Sequence, residues 1–165
     1  DDRLVLVDAA GYPLQSESVP IGFRLANMPL LSRVMESVLP RGVVESSLRN
    51  TYGDPTRVTD ERVDRYYELT LREGNRAALA KRFAAGRGST EPERIRSLQV
   101  PTLILWGGRD RLIPPTYAER FQRDIAGSEL VMFTGLGHVP HEEDPAATVA
   151  AFLAFLDSAP FKAPE

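Results

Sequence analysis

The feature that most limits what this chain can fold into is the run Thr102-Leu103-Ile104-Leu105-Trp106, closed by Gly107-Gly108-Arg109-Asp110. The run is rich in β-branched and large apolar residues, is bounded by Pro101 and a glycine pair, and is too short for a stable helix. It therefore predicts a strand buried on both faces, as in a parallel sheet. The glycines allow a tight turn, so Asp110 stands just past the carboxyl end of that strand, the edge of an open α/β sheet where ligands bind.

A second turn, Gly135-Leu136-Gly137-His138, follows after what reads as one crossover unit. Tyr117, Phe121 and Ile125 recur at helical spacing, Gly127 is a suitable stop, and Leu130 to Phe133 is another apolar run. Strand, helix and strand bring the second strand back parallel to the first, which places Asp110 and His138 at one edge. A carboxylate beside an imidazole fixes its tautomer and stabilises the imidazolium formed on proton uptake, as the acid and base of a nucleophilic triad do. Taken singly, an Asp after a glycine turn is often a turn former, and a lone histidine is usually structural or exposed. Their joint occurrence selects the chemical reading.

The segment from Pro101 to Pro115, followed by Gly137-His138-Val139-Pro140-His141-Glu142-Glu143-Asp144-Pro145, resembles the carboxy-terminal half of the α/β-hydrolase family. In that family the acid follows one late strand and the histidine the next. The resemblance implies an α/β fold: the carboxy-terminal part of a parallel sheet with an inserted helical cap. Residues 1–12 would be the sixth-strand segment of the core, and the run Leu4-Val5-Leu6-Val7, apolar at every position, is expected to form a central parallel strand buried on both faces rather than a half-exposed one. Residues 13–97 would be the cap or lid, 98–158 the core segment with the acid and histidine loops, and 159–165 a tail.

The family's nucleophile follows the fifth strand, upstream of Leu4, and no G-x-S-x-G elbow occurs in the sequence. Gly86-Arg87-Gly88-Ser89-Thr90 has its serine in the wrong place, and the oxyanion-hole glycine motif is also missing. Ser16, Ser18, Ser32, Ser37, Ser46 and Ser47 read as capping or solvated residues. Opening at Asp1 directly before a strand, the chain is expected to be cut from a longer protein. Some relatives carry the acid after the sixth strand instead, so Asp8 is the alternative to Asp110 and otherwise a strand-end turn residue.

Between the two core segments the pattern is helical, with Gly22 to Asn27, Leu30 to Leu39, Val43 to Tyr52, Asp60 to Glu73 and Arg76 to Ala85 as candidate helices. The fourth is the clearest: Thr59 can cap it, Asp60 and Glu61 suit its positive end, and Val63, Tyr66, Tyr67 and Leu71 share a side. Phe23, Met28, Met35, Tyr52 and Phe83 are expected in the core of this helical region. Tyr66 and Tyr67 are candidate substrate contacts, because cap tyrosines donate hydrogen bonds to the substrate oxygen in epoxide-opening relatives. After His138, Asp144 and Pro145 make an N-cap and first-turn pair, and Val149, Phe152, Leu153 and Leu156 are expected to form the packing face of a terminal helix. His141 beside Glu142 and Glu143 is not H-E-x-x-H and suggests no third ligand, so no metal is expected.

A formal charge of −3 and a pI near 5.5 give no basic surface for nucleic acid. The absence of cysteine excludes disulfides and thiol nucleophiles. No apolar run approaches the roughly 20 residues of a membrane span, and a cytoplasmic location is expected. The resemblance implies a cofactor-free hydrolase of a small molecule, first a serine esterase acting on small acyl esters, with a serine outside this chain. The alternatives are a carbon–carbon bond hydrolase with serine, an epoxide hydrolase or dehalogenase with an Asp nucleophile, or an inactive fragment. Such a fragment would self-associate through the unpaired edge of Leu4 to Val7 or require the missing amino-terminal half.

Overall fold

The computed structural model describes residues 2–13, 15–21, 24, 39–84 and 92–158. Three parallel strands form the sheet among these residues, in the order β1 (Leu4–Val7), β2 (Thr102–Gly107), β3 (Glu129–Phe133). Leu4 is in register with Thr102, and Leu105 pairs with Val7 on one side and Val131 on the other. β2 is buried along its whole length, as its unbroken apolar run requires.

Alternation along β2 builds two cores. Ile104 and Trp106 face helix α5 (Thr116–Asp124), where Phe121, Ala118 and the following Ile125 pack with Tyr12, Leu112 and Ile113. Leu103 and Leu105 face the other way, onto Phe155 and Ala151 of helix α7 (Pro145–Asp157). Each large side chain removed from water here contributes about 2 kcal/mol. The Tyr117, Phe121 and Ile125 spacing thus forms the crossover helix expected of it.

Between β1 and β2 the chain is helical: α1 (Arg41–Thr51), a 3-10 turn at Pro55–Arg57, α2 (Asp60–Leu71), α3 (Asn75–Ala84) and the short α4 (Pro92–Arg96). Thr59 caps α2 by accepting the Arg62 N–H at 3.3 Å. Arg41 of α1 binds Asp64 at 2.6 Å and Asp60 at 3.0 Å, tying the two helices together. Beneath them Leu48, Tyr52, Val58 and Val63 form a separate small core that also packs Tyr66 and Val139. The helices expected over 22–27 and 30–39 lie outside the described residues apart from Arg24 and Leu39, as do Phe23, Met28, Met35, the Gly86 to Thr90 segment, Ser32, Ser37 and the tail. The side chain of Phe83 is likewise outside them.

Two expectations are corrected. The strand Leu4–Val7 is not buried on both faces: Leu4, Val5 and Leu6 are half-buried and Val7 is 36 % exposed. Among the described residues it pairs with β2 alone, and no strand covers its second edge. The terminal helix packs through Thr148, Ala151 and Phe155, whereas Val149 and Leu153, 53 % and 51 % exposed, face outward with Phe152 and Leu156. Apolar residues surround this helix on all sides, so periodicity could not choose which side the sheet takes. Asp144 and Pro145 do start it, the Asp144 carboxylate accepting the Ala147 N–H at 3.0 Å. Arg3 closes its other end by donating to the carbonyls of Phe155, Leu156 and Ser158.

Candidate active site

The turns after β2 and β3 meet. Gly108 N–H donates to the Phe133 carbonyl and Arg109 N–H to that of Leu136, each at 2.8 Å. A Cβ on Gly107 would stand 1.9 Å from the Gly137 carbonyl oxygen, so only glycine permits the approach. Asp110 and His138 emerge there together, with His138 Nδ1 2.8 Å from Asp110 Oδ2.

Asp110 is buried and fixed as an acceptor. Its Oδ1 takes the backbone N–H groups of Leu112 and Ile113 at 2.8 and 2.9 Å, and Trp106 Nε1 steadies that loop through the Ile113 carbonyl at 3.1 Å. With both oxygens accepting, the proton of the pair belongs on His138 Nδ1, leaving Nε2 as the basic nitrogen. The arrangement can take up a proton at Nε2 and stabilise the resulting imidazolium.

Sequence reasoning missed what holds the histidine loop. Glu143, in the short helix α6 (Pro140–Glu143), is buried and accepts Gly137 N–H at 2.6 Å and Gly53 N–H at 3.0 Å. His138 N–H donates to the Thr51 carbonyl at 2.7 Å. The turn after α1 is thereby joined to the loop that carries the imidazole. Three acids in succession, Glu142, Glu143 and Asp144, gave no signal of which one points inward.

Glu142 faces the other way and receives Tyr52 Oη at 3.0 Å and Tyr66 Oη at 2.6 Å. Burial and then the bond to Glu142 push the Tyr52 hydroxyl up to about 12 and raise that of Tyr66 as well. Tyr66 is therefore engaged in fastening α2 to α6, while Tyr67 is half-buried on the same helix. A cavity of about 380 Å³ opens between α2 and α3, lined in part by Tyr66, Leu69 and Leu79.

Asp8 does not pair with the imidazole. Its Oδ1 accepts Gly107 N–H at 2.9 Å, and it is buried with a φ of 42°. Asp8, Asp110 and His138 each bring a donor atom within 4.8 Å of the others. Both Asp110 oxygens are already occupied, so this donor set suits a proton better than a cation. His141 is exposed and stands outside the group.

The chain is similar to proteins about twice as long. It is 26 % identical over 143 residues to the uncharacterized hydrolase YugF of Bacillus subtilis, covering 87 % of this chain and 52 % of that protein. The fold matches the meta-cleavage product hydrolase CumD of Pseudomonas fluorescens, with a TM-score of 0.75 and 23 % identity over 94 % of this chain and 56 % of the other. It also matches an esterase of Exiguobacterium antarcticum, with a TM-score of 0.72 and 16 % identity over 94 % and 57 % of the two chains. The chain thus spans about half the length of these relatives. The model of the alpha/beta hydrolase family matches residues 1–152, and the chain belongs to that family.

Proposed function

We propose that this chain carries the acid and the general base of a serine hydrolase, with an esterase acting on small acyl esters as the leading reading. The observation that carries it is the 2.8 Å contact between His138 Nδ1 and a buried, backbone-anchored Asp110 at the end of a parallel strand. In this reading a serine outside the chain gives its hydroxyl proton to His138 Nε2 as Oγ attacks the acyl carbonyl. The imidazolium then returns the proton to the leaving alkoxide, and water releases the acid by the reverse sequence.

On this reading residues 13–97 are the lid over the site, with Tyr66 anchoring it and Tyr67 offered to substrate. The open edge of β1 and the outward apolar side of α7 are where the amino-terminal half of the protein would complete the fold, or where copies of this chain would associate without it. Likeness to CumD favours a second reading, hydrolysis of a meta-cleavage product. An Asp nucleophile, giving an epoxide hydrolase or dehalogenase, is distinguished by the residue at the upstream elbow alone.

The test uses the full-length protein. It is expected to turn over p-nitrophenyl acetate and to lose that activity in His138→Ala. Turnover of a meta-cleavage product in preference to the ester selects the second reading, and full activity in His138→Ala ends both.

A further inference from the structure

Asp8 is a buried acid that the acid–base pair leaves unused. It is 4 % exposed, and its backbone sits in the left-handed region that residues other than glycine seldom occupy. Oδ1 accepts Gly107 N–H, whereas Oδ2 is buried and, among the described residues, no N–H or O–H donor reaches it. One atom each of Asp8, Asp110 and His138 lie within 4.8 Å of one another.

An ionised Asp8 would leave a bare anionic oxygen in a buried place and set a second negative charge against Asp110. That is the least favourable arrangement available to the group. A protonated Asp8 removes the repulsion and converts the orphaned oxygen into a donor beside an anchored carboxylate. We propose that Asp8 is held as a neutral carboxylic acid that lends its proton to Asp110, making it a positioning residue for the Asp110–His138 pair.

Burial above all, and then the nearby Asp110 and Glu143 carboxylates, push the Asp8 carboxyl up to about 9 against the lowering effect of the Gly107 N–H. The groups facing it are thus Asp110 after β2, Glu143 of α6 and His138 after β3. A neutral donor on Asp110 withdraws charge from that carboxylate and loosens its hold on the imidazolium. By sharing the charge of Asp110, Asp8 sets how strongly that carboxylate holds the Nδ1–H of His138. The consequence for catalysis rests on the proposed hydrolase reading; the protonation state does not.

The test is a carboxyl-carbon NMR titration of the 165-residue chain labelled at aspartate, with through-bond assignment so that no variant is needed to identify Asp8. Asp8 is expected to stay protonated at about pH 7, far above an ordinary aspartate. An ionised Asp8 at that pH overturns the proposal. The downfield Nδ1–H proton resonance of His138 supplies the second arm, because it reads the bond to Asp110. Asp8→Asn keeps a donor for Asp110 and an acceptor for Gly107 and is expected to leave it unchanged, while Asp8→Ala returns charge to Asp110 and moves it further downfield. An unmoved resonance in Asp8→Ala refutes the positioning role. Neither readout involves turnover, so the hydrolase reading fails separately, through a His138→Ala enzyme that stays active.

Discussion

Glu143 receives the backbone N–H of Gly137 at 2.6 Å, one residue before the imidazole, and binds Gly53 with the same carboxylate. Glu143→Ala leaves these two donors buried without a partner, at about 1–3 kcal/mol each. Urea denaturation is expected to show that loss, with part of it recovered in Glu143→Gln, which retains one acceptor oxygen. An alanine variant as stable as the parent would show that water replaces the carboxylate.

Asp110→Asn preserves the shape of the loop but exchanges one acceptor oxygen for an amide donor, so His138 is pushed towards the wrong tautomer. On the proposed hydrolase reading, kcat of the full-length protein is expected to fall by about 10⁴, as the same change does in a serine-protease triad. In this chain the downfield proton resonance of Nδ1–H should vanish. Retention of both signals would move the acid role to another residue.

Gly107→Ala forces a methyl into the Gly137 carbonyl, 1.9 Å from the position its carbon would take. Overpacking of this kind costs about 1–3 kcal/mol. The amide cross-peaks of residues 135–138 should shift more than those of α5. An undisturbed spectrum would place the two turns farther apart than described.

Asp8 links stability to pH. Its native proton affinity lies above that of the unfolded chain, so the folded state holds a proton that the unfolded state has released between the ordinary value of 3.8 and about 9. Its favourable effect is complete below 3.8 and is lost as pH rises through 9. Asp8→Asn removes that slope, and calorimetric Tm values should show the variant gaining on the parent as pH rises. A constant difference across the range would mean that Asp8 is ionised in both states.

The outward side of α7 predicts association. Val149, Phe152 and Leu153 form an exposed apolar surface on a helix whose other side already serves the sheet. Sedimentation velocity of this chain alone is expected to show dimers or larger species, reduced by Phe152→Glu with Leu153→Lys. A parent chain that is monomeric at high concentration contradicts this.

The parts legible in the sequence were those decided by neighbours along the chain. β2, the glycine turn before Asp110, the face of α5 and the caps at Thr59 and Asp144 each rest on a handful of adjacent residues, and they placed Asp110 beside His138 without knowledge of distant contacts. The half-exposure of β1 could not be read because it depends on what lies across its open edge. The packing side of α7 could not be read because Val149 and Ala151 are both apolar. Asp8 looked like a turn residue or a substitute acid, and only its proximity to Gly107 N–H and the buried pair reveals a third role. Glu143 and Glu142 are neighbours with identical side chains, yet one fastens the histidine loop and the other fastens α2.

Gly107, Gly137 and Gly53 meet backbone to backbone, so their freedom to vary is shared. A side chain at Gly137 would meet the Thr51 carbonyl oxygen at 2.3 Å, and one at Gly53 would meet that of Gly135 at 2.5 Å. In a library of random variants the three positions should therefore be blocked together, and suppressors of a lesion at one should arise in the loops bearing the other two. Far apart in the gene, they would behave as one heritable unit.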